Sequence, residues 1–296
     1  MSDYVHLNGQ IVPYDSAHIA AGDAGLLHGA GLFETMRARN RKIFRLRSHL
    51  ERITRSAAAL SIPMSLGETQ LAEMIEDLLA ANDLADARLR LTITRGDLHA
   101  ATAEDPIPPV TLLLTSAEFL PYPAQLYEKG MTVVISSCKQ NPESPITGHK
   151  TTSYLDRLLA LREAQQIKAG EALWFTEQTN YLAEGSISNV FIVDKEGLLA
   201  TPPLTMPEKT NQRLCLPGVT RQVVLELATS LNILPHERLL TINDLLAARE
   251  LFLTNSIMGI MPVTAVEKHI ISEGNPGPLT RQLREAYERH LLAETA

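Results

Sequence analysis

Gly148-His149-Lys150-Thr151-Thr152-Ser153-Tyr154-Leu155-Asp156 sets a lysine among small hydroxyl residues just ahead of a helix-forming run. A lysine attacks a carbonyl only when it is partly desolvated and held in place, and the mouth of a buried helix supplies both conditions. Taken by itself, Lys150 reads as an ordinary surface lysine. The decision therefore rests on what the rest of the chain places around it.

Downstream, Tyr154, Leu158, Leu161 and Ala164 share one face of an expected helix, which Gly170, after Lys168, would end in a left-handed cap. Strands are expected over 173–176, 187–193 and 250–254, with helices over 220–231 and 279–292. Upstream, residues 131–137 read as a strand. At the start of the chain, Tyr4-Val5-His6-Leu7 and Gln10-Ile11-Val12 flank Asn8-Gly9, the strongest local hairpin signal.

A glycine-rich stretch, 22–31, leads into a strand over 32–38, a polar turn at Arg39-Asn40-Arg41-Lys42 and a return strand over 43–46. Leu50, Ile53, Ala57 and Leu60 recur at helical spacing with Ser48 as N-cap, and residues 68–82 repeat the pattern. Arg88-Leu89-Arg90-Leu91-Thr92-Ile93-Thr94-Arg95 alternates as a strand, another β-rich run covers 110–115, and Asp105 to Pro109 reads as an exposed connection. Strands and helices are mixed without strict alternation, which indicates α+β. Pro121-Tyr122-Pro123 marks a boundary, giving a small N-terminal α+β domain over 1–120, a linker over 121–125 and a larger domain over 126–296.

The 296 residues suffice for two cores, and 45% hydrophobic with 21% charged residues is an ordinary globular composition. A net charge of -7 disfavours nucleic acid and anionic lipid and points to a small-molecule partner. Cys138 and Cys215 match no disulfide framework or metal-ligand spacing, so no metal is expected and a reducing, cytoplasmic setting is. Neither a signal sequence nor a membrane-spanning run is legible.

Three further segments carry chemistry. Leu182-Ala183-Glu184-Gly185-Ser186-Ile187-Ser188-Asn189 puts a carboxylate just before a strong strand; it reads as a solvated turn or as a partner for a pyridine nitrogen. Leu216-Pro217-Gly218-Val219-Thr220 opens a helix whose free N–H groups form an anion site, although Pro-Gly-x-Thr is also a common helix start. Thr254-Asn255-Ser256 offers hydroxyl and amide groups at a strand end, as a capped turn or a ligand site.

In this order, the four segments resemble fold-type IV, or class IV, pyridoxal-phosphate enzymes over nearly the whole chain. The resemblance implies a two-domain fold of the D-amino-acid aminotransferase kind, with Lys150 joined to the cofactor as a Schiff base. It places Glu184 against the pyridine nitrogen, Tyr154 near the phenolic oxygen and Leu216 against the ring. Arg52, the backbone at Val219 and Thr220, and Asn255-Ser256 would hold the phosphate. A homodimer is implied as well.

Within the family, Phe33-Glu34-Thr35-Met36-Arg37 and the segment from Thr254 to Val263 look like 4-amino-4-deoxychorismate lyase, which would form p-aminobenzoate and pyruvate with Thr35 assisting proton handling. Arg88-Leu89-Arg90-Leu91 lacks the Tyr-x-Arg-Pro of branched-chain aminotransferases, and Gly96-Asp97-Leu98-His99 lacks the Pro-Arg-x-His of D-amino-acid enzymes. Arg90 and His99 nevertheless keep an aminotransferase of branched-chain or D-amino acids, with a 2-oxo acid acceptor, as the alternative. His28, Arg90 and His99 are the candidate substrate residues.

Overall fold

The structure, a computed structural model, describes residues 3–100 and 109–296, so Asp105 to Pro108 of the expected exposed connection lie outside the described residues. Contacts divide the chain into two compact units: residues 1–120 with 149–153 and 291–296, and residues 121–148 with 154–290.

In the first unit, β1 (Tyr4–Leu7) and β2 (Gln10–Pro13) pair antiparallel across the Asn8-Gly9 turn, where both residues take positive φ. With β3 (Gly31–Arg39), β4 (Lys42–Ile43), β5 (Ala87–Thr94) and β6 (Thr111–Glu118) they form a six-stranded sheet in the order β2-β1-β6-β5-β3-β4. Alternation decides the two faces. Leu32, Met36, Leu89, Leu91 and Ile93 point inward, against α2 (Leu46–Ala59) and α3 (Glu68–Ala81). Each such side chain, fully buried, contributes about 1.5–3 kcal/mol. Phe33, Thr35 and Arg37 stand on the other face with Arg88 and Arg90, their neighbours in the β3–β5 register.

The short helix α1 (Ala24–His28) is capped by Asp23, whose other oxygen accepts the hydroxyls of Thr94 and Thr111. Ser48 is not the N-cap of α2. The helix begins two residues earlier, at Leu46, after Arg45 in a left-handed conformation. The Arg45 N–H finds its acceptor in the Glu294 carboxylate at 2.8 Å, a partner no local pattern announces.

In the second unit, the main sheet is assembled from β7 (Met131–Gln140), β8 (Glu171–Thr176), β9 (Leu182–Gly185), β10 (Asn189–Val193), β11 (Leu199–Thr201), β14 (His236–Glu237), β15 (Glu250–Asn255), β16 (Gly259–Val266) and β17 (His269–Ile270), while β12 (Thr205–Met206) and β13 (Lys209–Arg213) pair separately. Its order is β14-β11-β10-β15-β16-β7-β8-β9, with β17 against β16. Residues of β10, β15 and β16 are buried on both faces, except Asn255, hence their unbroken apolar runs. The expected strand over 187–193 starts only at Asn189, because residues 185–188 turn between β9 and β10.

The helices of this unit are α4 (Ala124–Lys129), α5 (Leu155–Gln166), α6 (Val219–Ser230), α7 (Ile242–Leu246) and α8 (Pro278–Glu294), the last six residues of the chain being counted with the first unit. α5 departs from the sequence expectation. Ala160 and Ala164 are its buried residues, whereas Leu158 is 55% exposed. Small side chains let this helix lie close on β7 and β8, so the leucines are turned outward. Its end differs too: Lys168, not Gly170, takes the positive φ.

Candidate active site

Lys150 sits on a segment that pairs along the free edge of β3. Phe33 N–H donates to the Lys150 carbonyl at 2.9 Å, Thr152 N–H to the Gly31 carbonyl at 2.9 Å, and Leu32 bridges Thr151. These bonds fix the lysine through the edge of a sheet, where the sequence suggests the mouth of a buried helix. Its ammonium stands 4.5 Å from the centre of the Phe33 ring, and the Arg90 guanidinium stands 3.7 Å from the same centre. Arg90 also donates to Thr92 Oγ1 at 3.3 Å and faces Thr35 across the strand pair. Phe33 therefore gathers an amine and a guanidinium on one ring. His28 at the end of α1 and His99 in the loop after β5 are both exposed, and neither belongs to the Phe33 group.

Behind that face, Arg52 meets Glu34 in a side-on bidentate pair of hydrogen bonds, Nε donating to Oε1 at 2.7 Å and Nη2 to Oε2 at 2.5 Å, and His49 Nδ1 lies 2.7 Å from Oε2. Burial alone would raise the Glu34 carboxyl, but Arg52 and His49 outweigh it and hold it at about 2. Burial lowers His49, as do Arg52 and Lys150, so a neutral ring donating Nδ1–H to Glu34 fits the site. His149 is 2.9 Å from Ser56 Oγ on the same helix, α2. The sequence expectation missed Glu34 and His49. A glutamate on the inward phase of β3, and His49, Arg52 and Ser56 along one helix face, are the signals that point to them.

In the second unit, Glu184 is 2% exposed on β9. Its Oε1 accepts Arg157 Nη2 at 2.5 Å and its Oε2 accepts the Leu216 N–H at 2.9 Å. Gln140 Nε2 binds the Leu214 carbonyl at 2.6 Å, bracing the same segment. Burial opposes the charge of the Arg157 guanidinium, yet the Glu184 carboxylate beside it raises the pKa of Arg157 above the ordinary value. Arg157 Nη1 and the Tyr154 hydroxyl both donate to the Ser186 carbonyl at 3.0 Å. Burial, then the charge of Glu184, pushes the Cys215 thiol up to about 12, so it is no nucleophile.

Asn189 draws the remaining residues together. Its amide donates to the Leu216 carbonyl at 2.9 Å, it lies opposite Thr254 in the β10–β15 register, and a Cβ on Gly218 would collide with its Oδ1. The glycine thus lets α6 begin hard against Asn189. α6 has no side-chain cap and no acidic residue in its first turn, so the amides of Val219 and Thr220 are suited to an anion. Thr254 Oγ1 is buried and has no hydrogen-bond partner among the described residues, as a hydroxyl awaiting a ligand would be. Asn255 closes its own turn, its Oδ1 accepting from Ile257 and Met258 and its Nδ2 binding the Ile187 carbonyl, while Ser256 is half-buried beside it. Among the described residues no cluster of His, Cys, Asp or Glu is arranged to hold a metal ion, and no helix is long and apolar enough to cross a membrane.

Within the second unit, a buried carboxylate beside a guanidinium, an uncapped helix N-terminus and a buried, unpaired threonine hydroxyl fit the chemistry of a pyridine nitrogen and a phosphate, and within the first unit a half-buried lysine over an aromatic ring fits an aldehyde, the groups that pyridoxal phosphate carries. The family model for amino-transferase class IV matches residues 31–266. The chain belongs to the class IV aminotransferase family. It is a pyridoxal-phosphate-dependent enzyme of the two-domain fold-type IV architecture.

A Methanocaldococcus jannaschii protein named "Putative branched-chain-amino-acid aminotransferase" is 32% identical over 96% of this chain and 95% of its own. The D-alanine aminotransferase of Bacillus licheniformis is 28% identical over 99% and 98%. The branched-chain aminotransferase of Thermoproteus uzoniensis, solved with norvaline, superposes with a TM-score of 0.86 at 26% identity, covering 99% of this chain and 96% of that one.

These relatives overturn the expectation that the chain is closest to 4-amino-4-deoxychorismate lyase and makes p-aminobenzoate. A Legionella pneumophila structure named as such a lyase, also "Putative", matches less well, at 23% identity and a TM-score of 0.81, and shares the fold alone. The misreading has a physical source. Glu34 and Met36 point inward to Arg52 and the core, and Ile260, Met261 and Val263 are buried in β16. Those letters record packing, leaving Thr35 as slender support for a lyase.

Proposed function

We propose that this enzyme is an aminotransferase that moves the amino group of a branched-chain or D-amino acid to a 2-oxo acid. The observation that carries the reading is the pairing of Lys150 and Arg90 on the Phe33 ring, an amine base and a cation for carboxylate at one place. The relatives named for branched-chain and D-alanine transamination support the same substrate range.

Bound pyridoxal phosphate supplies an electron-withdrawing ring and stores the amino group between half-reactions. Lys150 would hold the cofactor and would move a proton at the substrate α-carbon. Glu184, fixed by Arg157 and the Leu216 amide, keeps a proton on the pyridine nitrogen, with Leu216 against the ring. Tyr154 serves the phenolic oxygen. Arg52, the Val219 and Thr220 amides and the Asn255-Ser256 turn hold the phosphate. Arg90 would anchor a substrate carboxylate, with Thr35 opposite it in the β3–β5 register, while His28 and His99, outside the Phe33 group, are kept only as candidate substrate residues. A homodimer in the cytoplasm completes the proposal.

The test is to mix purified holoenzyme with L-leucine, L-valine, L-glutamate, D-alanine and D-glutamate, and to follow loss of the visible cofactor band. Recovery is then sought with 2-oxoglutarate or pyruvate. Bleaching by at least one amino acid, restored by a 2-oxo acid, is expected. No bleaching with any of them, in protein carrying cofactor on Lys150, would refute the assignment. Light scattering on the same sample tests the dimer.

A further inference from the structure

Glu171, the first residue of β8, is 2% exposed and takes no part in the chemistry above. Its Oε1 accepts the N–H groups of Ala172 at 3.0 Å and Ser186 at 3.1 Å. Its Oε2 accepts the Ile187 N–H at 3.2 Å and the Ser188 hydroxyl at 3.0 Å. Three of these donors belong to the turn between β9 and β10, which begins right after Glu184 and Gly185. The carboxylate is pressed close: a Cβ on Gly185 would lie 3.2 Å from Glu171 Cδ and would collide with Ser188 Oγ.

The outer side of that turn works on different groups. The Ser186 carbonyl receives the Tyr154 hydroxyl and Arg157 Nη1, each at 3.0 Å, and the Gly185 carbonyl receives the same Arg157 nitrogen at 3.2 Å. Arg157 then bonds Glu184 at 2.5 Å. Ser186 Oγ accepts Trp174 Nε1–H at 2.9 Å. A carbonyl that orients two donors must itself be immobile, and a turn of Gly, Ser, Ile and Ser has no intrinsic rigidity. What immobilises it is a buried carboxyl side chain whose two oxygens accept from three of its groups.

We propose that Glu171 is a positioning residue: by clamping the Gly185–Ser188 turn it fixes the Ser186 carbonyl, and through it the Tyr154 hydroxyl and the Arg157–Glu184 ion pair. The proposal rests on the assignment of Glu184 and Tyr154 to the cofactor. It assigns Glu171 no contact with substrate and no proton transfer.

Trp174 is the single tryptophan of the chain and is bonded to the clamped turn, so its fluorescence reports the clamp without any activity. Glu171→Gln keeps the shape but turns one acceptor into a donor facing N–H and O–H groups. In the apoprotein, acrylamide quenching of Trp174 is expected to rise clearly above wild type. In the holoenzyme, the pH midpoint of the visible band should move by about 0.5 unit or more, since Tyr154 and Glu184 tune the cofactor. The kcat should fall about ten- to a hundredfold, the range for losing a group that supports a ligand, with KM for the amino acid within about twofold.

Should Glu171→Gln fail to fold, Ser188→Ala removes a single bond to the clamp and is expected to move the same readouts the same way, by less. A folded variant, merely less stable, with wild-type quenching, band midpoint and kcat would overturn the proposal. Wild-type protein that took up no cofactor would instead overturn the functional reading, and the apoprotein fluorescence would still decide whether Glu171 holds the turn.

Discussion

Glu34→Gln tests the buried ion pair behind the candidate active site most directly. Gln has the volume of Glu but presents one amide donor where Arg52 and His49 both need an acceptor. The Glu34 carboxyl falls from its ordinary 4.5 to about 2 on folding. At 1.36 kcal/mol per pH unit, that drop corresponds to about 3 kcal/mol of stability at neutral pH. Leaving the Arg52 guanidinium, 5% exposed, without its carboxylate costs a similar amount, about 3–5 kcal/mol for a broken buried pair.

The sign follows from a depressed carboxyl. Its contribution is fully present above the unfolded value and is lost as pH falls through about 2. Urea unfolding of the apoprotein, followed by far-UV circular dichroism, should therefore show Glu34→Gln about 3 kcal/mol less stable at pH 7, and about half that at pH 3. A variant within about 0.5 kcal/mol of wild type at pH 7, or a difference that did not shrink on acidification, would refute the account of Glu34 as the ionised partner of Arg52.

Gly218→Ala drives a methyl into Asn189 at the start of α6, and is expected to weaken cofactor binding at least about tenfold by equilibrium titration, as tightly apposed ligand sites tolerate little displacement. Ala160→Leu, on the buried face of α5, should lower stability by about 1–3 kcal/mol in the same urea assay, through overpacking against the sheet. Burial pushes the Glu171 carboxyl up to about 7 despite its four donors. Its charged and titratable surroundings are Arg157 on α5, which senses it directly, with Glu184 and Tyr154 beyond. Protonation below that pH removes an acceptor from the turn, so Trp174 quenching in the apoprotein should rise as pH falls through about 7, and Glu171→Gln should abolish the transition.

Local patterns carried most of the element positions. Asn8-Gly9 can turn a hairpin because both residues tolerate positive φ, and β5 declares its buried face by strict alternation of arginine and aliphatic residues. The ordered appearance of Lys150, Glu184, Gly218 and Asn255 was enough to place the chain in its family, since each needs only its own neighbours in sequence to be recognisable. Substrate choice was not legible in the same way. Glu34 and Met36 look like rim residues as letters, and only their inward phase on β3 shows otherwise.

The sequence by itself determined the hairpins, most strands and helices and the α+β class, because these depend on periodicity and turn chemistry within a few residues. Tertiary structure alone decided which buried charges pair. Glu34 meets Arg52 across 18 residues, Glu184 meets Arg157 across 27, and Glu171 reaches Ser188 across 17. It also brought residues 149–153 back to the edge of β3, laid the alanine face of α5 on the sheet, and gave Arg45 its partner near the end of the chain. Such partnerships are set by the desolvation of polar groups when distant elements close on one another, and no local propensity encodes the identity of the group on the other side.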